Sequence, residues 1–179
     1  ALDEGMHTIF QGRFEHEQLT FICDVIQVVE GKEVDLIEIK SSTSAKPEHI
    51  VDLAFQMVVL EKCGYTVREI SVIHVNNQYV RSGAIDPKSI TAKTDVTESV
   101  KAARDFTLQK IDEALQVMAL TECPDVSPLS ADSKSFGEWL DIYKHMKSPK
   151  PGSIYDLCQM DAKTLQNLLD NNIAYIKDI

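Results

Sequence analysis

The sequence predicts an α/β fold of the α+β kind, and three patterns carry that prediction. Short runs rich in β-branched and aromatic residues open the chain. A helix-period segment follows, with Ile50, Leu53, Ala54, Met57, Val58 and Leu60 recurring three to four residues apart. The C-terminal third then mixes helical periodicity with Pro- and Ser-containing loops.

Each element can be justified in turn. Thr8 to Phe14 mixes apolar and polar residues as a short strand does. Leu19 to Val29 is a second strand, Gly31 and Lys32 supply a turn, and Val34 to Lys40 is a third, ended by Ser41, Ser42, Thr43 and Ser44. Together they predict an antiparallel meander. Pro47 suits the first turn of a helix that runs through Lys62, and Gly64 is its expected stop. Val67 to Val75 reads as a buried strand, Asn76-Asn77 as a tight turn, and Tyr79 to Arg81 as the return strand.

After Gly83 the pattern changes. Asp95 or Thr97 can cap one long helix whose buried stripe is Val100, Ala103, Phe106, Ile111, Leu115 and Met118. A loop holds Pro124, Pro128 and Ala131. A helix near Phe136 to His145 follows, with Phe136, Trp139 and Tyr143 at core-like spacing, then a linker at Pro149 to Gly152. The chain closes in a short helical pair carrying Leu157, Leu165, Leu168, Leu169, Ile173, Ile176 and Ile179. Residues 1–120 are thus expected to form a core and 121–179 a helical extension.

The 179 residues, 44% hydrophobic and 26% charged, fall in the range of a soluble globular protein. No apolar run approaches the ~20 residues that span a bilayer. No charged-then-apolar leader opens the chain, and Ala1 in place of Met reads as the start of a fragment. Cys23, Cys63, Cys123 and Cys158 are scattered without a Cys-x-x-Cys pair, so reduced thiols and a cytoplasmic location are expected, with no metal–thiolate centre. His7, His16, His49, His74 and His145 show no paired spacing. The net charge of -10 argues against a general nucleic-acid coat, since phosphate binding is carried by Lys and Arg. It leaves room for an enzyme that holds a cation with carboxylates.

The chemistry lies in the second and third strands. Alternation puts Leu36, Glu38 and Lys40 on one face, and Ile37 and Ile39 on the other. A carboxylate and an ammonium in an apolar strand are costly to bury unless they pair or bind an ion. Alone they read equally as a solvated ion pair worth ~0.5 kcal/mol. Asp24 interrupts its own apolar strand likewise, and a hairpin around Gly31 would let Asp24 and Glu38 converge. Two carboxylates and the Ile39 carbonyl make an all-oxygen set that suits Mg²⁺ or Mn²⁺. Lys40 beside it could stabilise developing negative charge.

The ordered set Asp24, then Glu38-Ile39-Lys40, then a helix bearing Gln56, resembles the PD-(D/E)xK nuclease superfamily in its RecB-like and Cas4-like branch. The stretches Asp52-Leu-Ala-Phe-Gln56, Asn76-Asn-Gln-Tyr-Val80-Arg, Asp95-Val-Thr97 and Ser153-Ile-Tyr-Asp-Leu157 through Asp178-Ile179 are similar to an uncharacterised bacterial family of that branch. The resemblance implies a restriction-endonuclease-like core, a mixed central sheet flanked by helices. It also implies metal ligation by Asp24, Glu38 and the Ile39 carbonyl, catalysis by Lys40, and a site role for Gln56. Lys46 and Arg81 are candidates for phosphate contact. The implied activity is metal-dependent phosphodiester hydrolysis, exonuclease-like, on DNA ahead of RNA. Leu60 stands where the branch places Tyr, its upstream helix is not visible, and its C-terminal cysteine cluster is missing, so no iron–sulfur cluster is expected. A catalytically inactive scaffold or binding module within a larger protein is the alternative.

Overall fold

A computed structural model describes residues 6–122, 126–131 and 134–179; Cys123 and Pro124 lie outside them. The chain divides into two compact units, Ala1–Gln116 and Val117–Ile179.

The first unit is built on five strands in the order of the chain: β1 (Thr8–His16), β2 (Leu19–Glu30), β3 (Glu33–Ile39), β4 (Thr66–Val75) and β5 (Thr91–Asp95). The first three form the expected antiparallel meander. Helix α1 (Pro47–Lys62) then carries the chain across the sheet, so that β4 pairs parallel to β3, with Glu38 beside Val72 and Ile39 beside Ile73. The result is a mixed α/β fold with helices against a five-stranded mixed sheet.

Local chemistry sets the ends of α1. Pro47 fills its first turn, and the Lys46 N–H donates to His49 Nδ1 at 3.2 Å. At the other end the Gly64 N–H reaches the Glu61 carbonyl and the Tyr65 N–H the Leu60 carbonyl, each at 3.0 Å. Those two bonds make a Schellman motif, which needs the left-handed φ of +84° that Gly64 adopts. The helix buries Leu53, Met57 and Leu60 against Ile26, Val34, Leu36, Ile70 and Val72 of the sheet.

One irregularity shapes the surroundings of Asp24. Phe21 and Cys23 lie in the same core as Ile26 and Val28, although strict alternation would send the two pairs to opposite faces. The strand changes face at Asp24 and Val25, and the β2–β3 pairing begins only at Val25 and Ile37. Opposite Asp24, Gln11 of β1 has φ +53°, a left-handed value rare within a strand. Gly12 beside it leaves little room: a Cβ there would sit 3.1 Å from Ile9 Cγ2 and 3.2 Å from Phe14 Cε2, so those side chains would have to give way slightly.

Three expectations are corrected. Tyr79 to Arg81 is not a strand but part of the loop after β4, and the return strand is β5, ten residues on, preceded by the short helix α2 (Pro87–Ile90). The single long helix is interrupted at Ala103 into α3 (Thr97–Ala102) and α4 (Arg104–Met118). Of its predicted stripe, Val100 and Ile111 are buried, whereas Phe106 and Met118 are exposed. Asp95 serves the start of α3, accepting from the Thr97 hydroxyl and N–H, bonds that hold its carboxyl below the ordinary range.

The second unit holds α5 (Phe136–Lys147) and α6 (Ala162–Asp170), with Phe136, Leu140, Ile154 and Leu165 as its core. Trp139 is half-buried and donates to the Val126 carbonyl at 3.0 Å, while Tyr143 packs on Tyr155. The expected closing helical pair is a single helix. On either side the chain folds back as a narrow ribbon, in which Ile154 bonds to Ala174 and Ile176 to Gly152.

Candidate active site

The candidate site side chains gather where β3 ends under α1. Glu38 follows Leu36 on the helix-facing side of β3 and is buried at 7% exposure. Its Oε1 accepts from Lys40 Nζ at 2.7 Å. The same ammonium donates to Asp52 Oδ2 at 3.1 Å. Gln56 Nε2 lies 3.4 Å from Glu38 Oε2 and 3.3 Å from Asp52 Oδ1. These four side chains close a ring: two carboxylates, one from the sheet and one from the helix, joined on one side by an ammonium and on the other by an amide.

The ring has clear electrostatic consequences. Partial burial is the largest single influence on Lys40 and would lower its pKa, but the hydrogen bonds and charges of Glu38 and Asp52 together raise it above the ordinary lysine value. Lys40 is therefore a fixed cation, suited to holding negative charge rather than to accepting a proton. Below the ring Cys23 is fully buried, and burial pushes its thiol up, so it stays neutral. Gln56 is 3% exposed and its Oε1 is buried without a partner. An unsatisfied buried acceptor of this kind costs about 1–3 kcal/mol.

Asp24 stands at the point where β2 and β3 part. Its Oδ2 accepts from the Ile39 N–H at 2.8 Å, and its Oδ1 from Gln11 Nε2 at 2.8 Å. The carboxylate thus takes the ladder bond that a regular β2 would have offered and reaches the peptide directly after Glu38. Its hydrogen-bond partners differ from those of Glu38. Among the described residues no group of three or more His, Cys, Asp or Glu side chains is placed to hold a metal ion. The oxygen groups that could serve a hard cation are the Asp24 and Glu38 carboxylates and the Ile39 carbonyl, with Gln56 Oε1 as a further neutral oxygen beside Glu38. Their chemistry fits Mg²⁺ or Mn²⁺ and suits a soft thiophilic metal poorly.

Of the residues singled out from sequence, the structure brings Glu38, Lys40 and Gln56 together and sets Asp24 one peptide away. Gln56 is buried, because α1 turns it with Val59 toward the sheet. Lys46 and Arg81 are exposed and engaged locally: Lys46 Nζ is 3.9 Å from Glu48, and Arg81 Nε donates to the Gly83 carbonyl at 2.8 Å. Neither is bonded to the ring. Two members were missed. Asp52 lies four residues before Gln56, one helical turn away on the same face, and that spacing could have found it. Gln11 left no local signal, since its link to Asp24 exists only once β1 and β2 pair.

No protein-family model matches the chain, and no curated protein matches it. No helix among the described residues is long and apolar enough to cross a membrane.

Proposed function

We propose that the chain is a divalent-metal-dependent nuclease with a PD-(D/E)xK core of the RecB-like and Cas4-like branch, hydrolysing phosphodiester bonds in DNA ahead of RNA. The observation that carries the proposal is the meeting of Glu38, Lys40 and Gln56 in one buried cluster, with the Asp24 carboxylate bonded to the peptide between Glu38 and Lys40. The sheet order, three antiparallel strands followed by a helix and a parallel fourth, supports the restriction-endonuclease-like core. In this reading Asp24, Glu38 and the Ile39 carbonyl hold Mg²⁺ or Mn²⁺, which would supply Lewis acidity toward a phosphodiester oxygen. Lys40 stabilises negative charge on the phosphate, and Gln56 orients a water or substrate group through its free Oε1.

The test is cleavage of linear duplex and single-stranded DNA with Mn²⁺ present. Wild-type protein cuts, and Asp24→Ala and Lys40→Ala each reduce the rate about 10²-fold or more with the circular dichroism spectrum unchanged. Both substrates remaining intact under wild-type protein would refute the catalytic assignment. A non-catalytic binding module is the second reading, favoured by an ammonium already engaged by two carboxylates and by the net charge of -10. Calorimetry separates them: saturable Mn²⁺ binding that Asp24→Ala abolishes belongs to the nuclease, and its absence to the module.

A further inference from the structure

We infer that Asp52 is a positioning residue of this site, which sets both the Lys40 ammonium and the Gln56 amide against Glu38. Its bearing on catalysis rests on the nuclease reading; its geometry does not.

The argument starts from freedom. Lys40 directly follows β3 and its side chain has four rotatable bonds, and ordering such a chain costs up to ~2 kcal/mol. A single carboxylate neighbour on the same strand leaves the ammonium free to swing away toward solvent. Asp52 closes that route. It approaches from α1 and takes a second Nζ hydrogen at 3.1 Å. Its other oxygen accepts from Gln56 Nε2 at 3.3 Å. A carboxylate accepts through both oxygens at once, and one helical turn separates Asp52 from Gln56, so one residue fixes two others. The donation by Gln56 also settles the amide orientation: with Nε2 turned to the two carboxylates, Oε1 is the atom left open. Asparagine at this position would present an NH₂ either to Nζ or to Nε2, a donor facing a donor, and so can serve only one of the two.

Asp52 retains 44% side-chain exposure, and Asn is isosteric with it, so Asp52→Asn is expected to fold. The decisive readout is the ¹⁵N–¹H signal of the Lys40 ammonium in lysine-labelled protein, assigned by its loss in Lys40→Arg. Hydrogens held by two carboxylates exchange slowly enough to be seen, whereas those of a free ammonium do not. The signal is expected in the wild type, is expected to vanish in Asp52→Ala, which removes both acceptors, and is expected to weaken in Asp52→Asn, which keeps one. With DNA and Mn²⁺, the same variants lower kcat about tenfold and leave KM within about twofold. An unchanged Lys40 signal in both variants overturns the inference. So does a lost signal with kcat intact, since the ordering would then have no bearing on the reaction. A wild type that cuts nothing refutes the nuclease reading alone, because the ammonium signal still decides whether Asp52 holds Lys40.

Discussion

Glu38 keeps only 9% of its side-chain surface in water, and a carboxylate so placed needs partners. Its desolvation, several kcal/mol for an unpaired ion, is offset by the Lys40 ammonium at 2.7 Å and the Gln56 amide at 3.4 Å. The two partners are unequal, since only Lys40 brings charge. Lys40→Met should therefore leave an uncompensated buried anion and lower unfolding free energy by about 1–3 kcal/mol in urea titrations. The double variant Glu38→Gln with Lys40→Met should recover part of that loss, because no charge is then left buried. If Lys40→Met is as stable as the wild type, the pair contributes nothing to the fold. At this scale the sequence was informative wherever a charge broke an apolar alternation, which is how Asp24, Glu38 and Lys40 stood out. It was uninformative for Asp52, an ordinary carboxylate on a helix, and for Gln11, whose meaning comes from a strand partner and a left-handed backbone.

Among the elements, most of those with a buried face were legible, and β1, half-buried without a fully buried residue, was legible from its alternation. β2, β3, β4 and α1 all bury apolar residues, and their periodicity appeared in the sequence. β5 is an edge strand, Thr-Ala-Lys-Thr-Asp, without a buried residue, so no alternation announced it. Tyr79 to Arg81 offered strand-forming residues after a turn signal and drew the reading away from the true return strand. The interruption at Ala103 was equally silent, because Ala is a good helix former and the Ala103 N–H still bonds to the Ser99 and Val100 carbonyls. The end of α1 is the element-scale feature with the sharpest consequence. Gly64 at φ +84° lets the chain turn from the helix directly into β4, which pairs parallel to β3. A Cβ there meets only Lys32 Nζ, at 3.4 Å, so the strain of Gly64→Ala is that of the backbone. The expected cost is about 1–2 kcal/mol, read as a lower urea midpoint with unchanged slope. A midpoint equal to that of the wild type would mean that the turn does not depend on glycine.

For the molecule as a whole, the nuclease proposal raises the question of how a chain of net charge -10 would meet a polyanion. Long-range steering is unfavourable, so any affinity for DNA must come from a few local contacts and from cations held in the site. Lys46 and Arg81 are exposed cations whose recorded partners are weak or neutral: Glu48 at 3.9 Å and a backbone carbonyl. Both are free to exchange those partners for phosphate at little cost. Each phosphate neutralised by a protein cation contributes about -0.9 to the slope of log K against log salt on duplex DNA. Binding of a short duplex should therefore show a shallow slope, and the double variant Lys46→Ala, Arg81→Ala should flatten it by about two while weakening binding uniformly across sequences. Fluorescence anisotropy over a salt series reads both quantities. A slope that the double variant leaves untouched would remove Lys46 and Arg81 from the substrate path and place the phosphate contacts elsewhere on the protein.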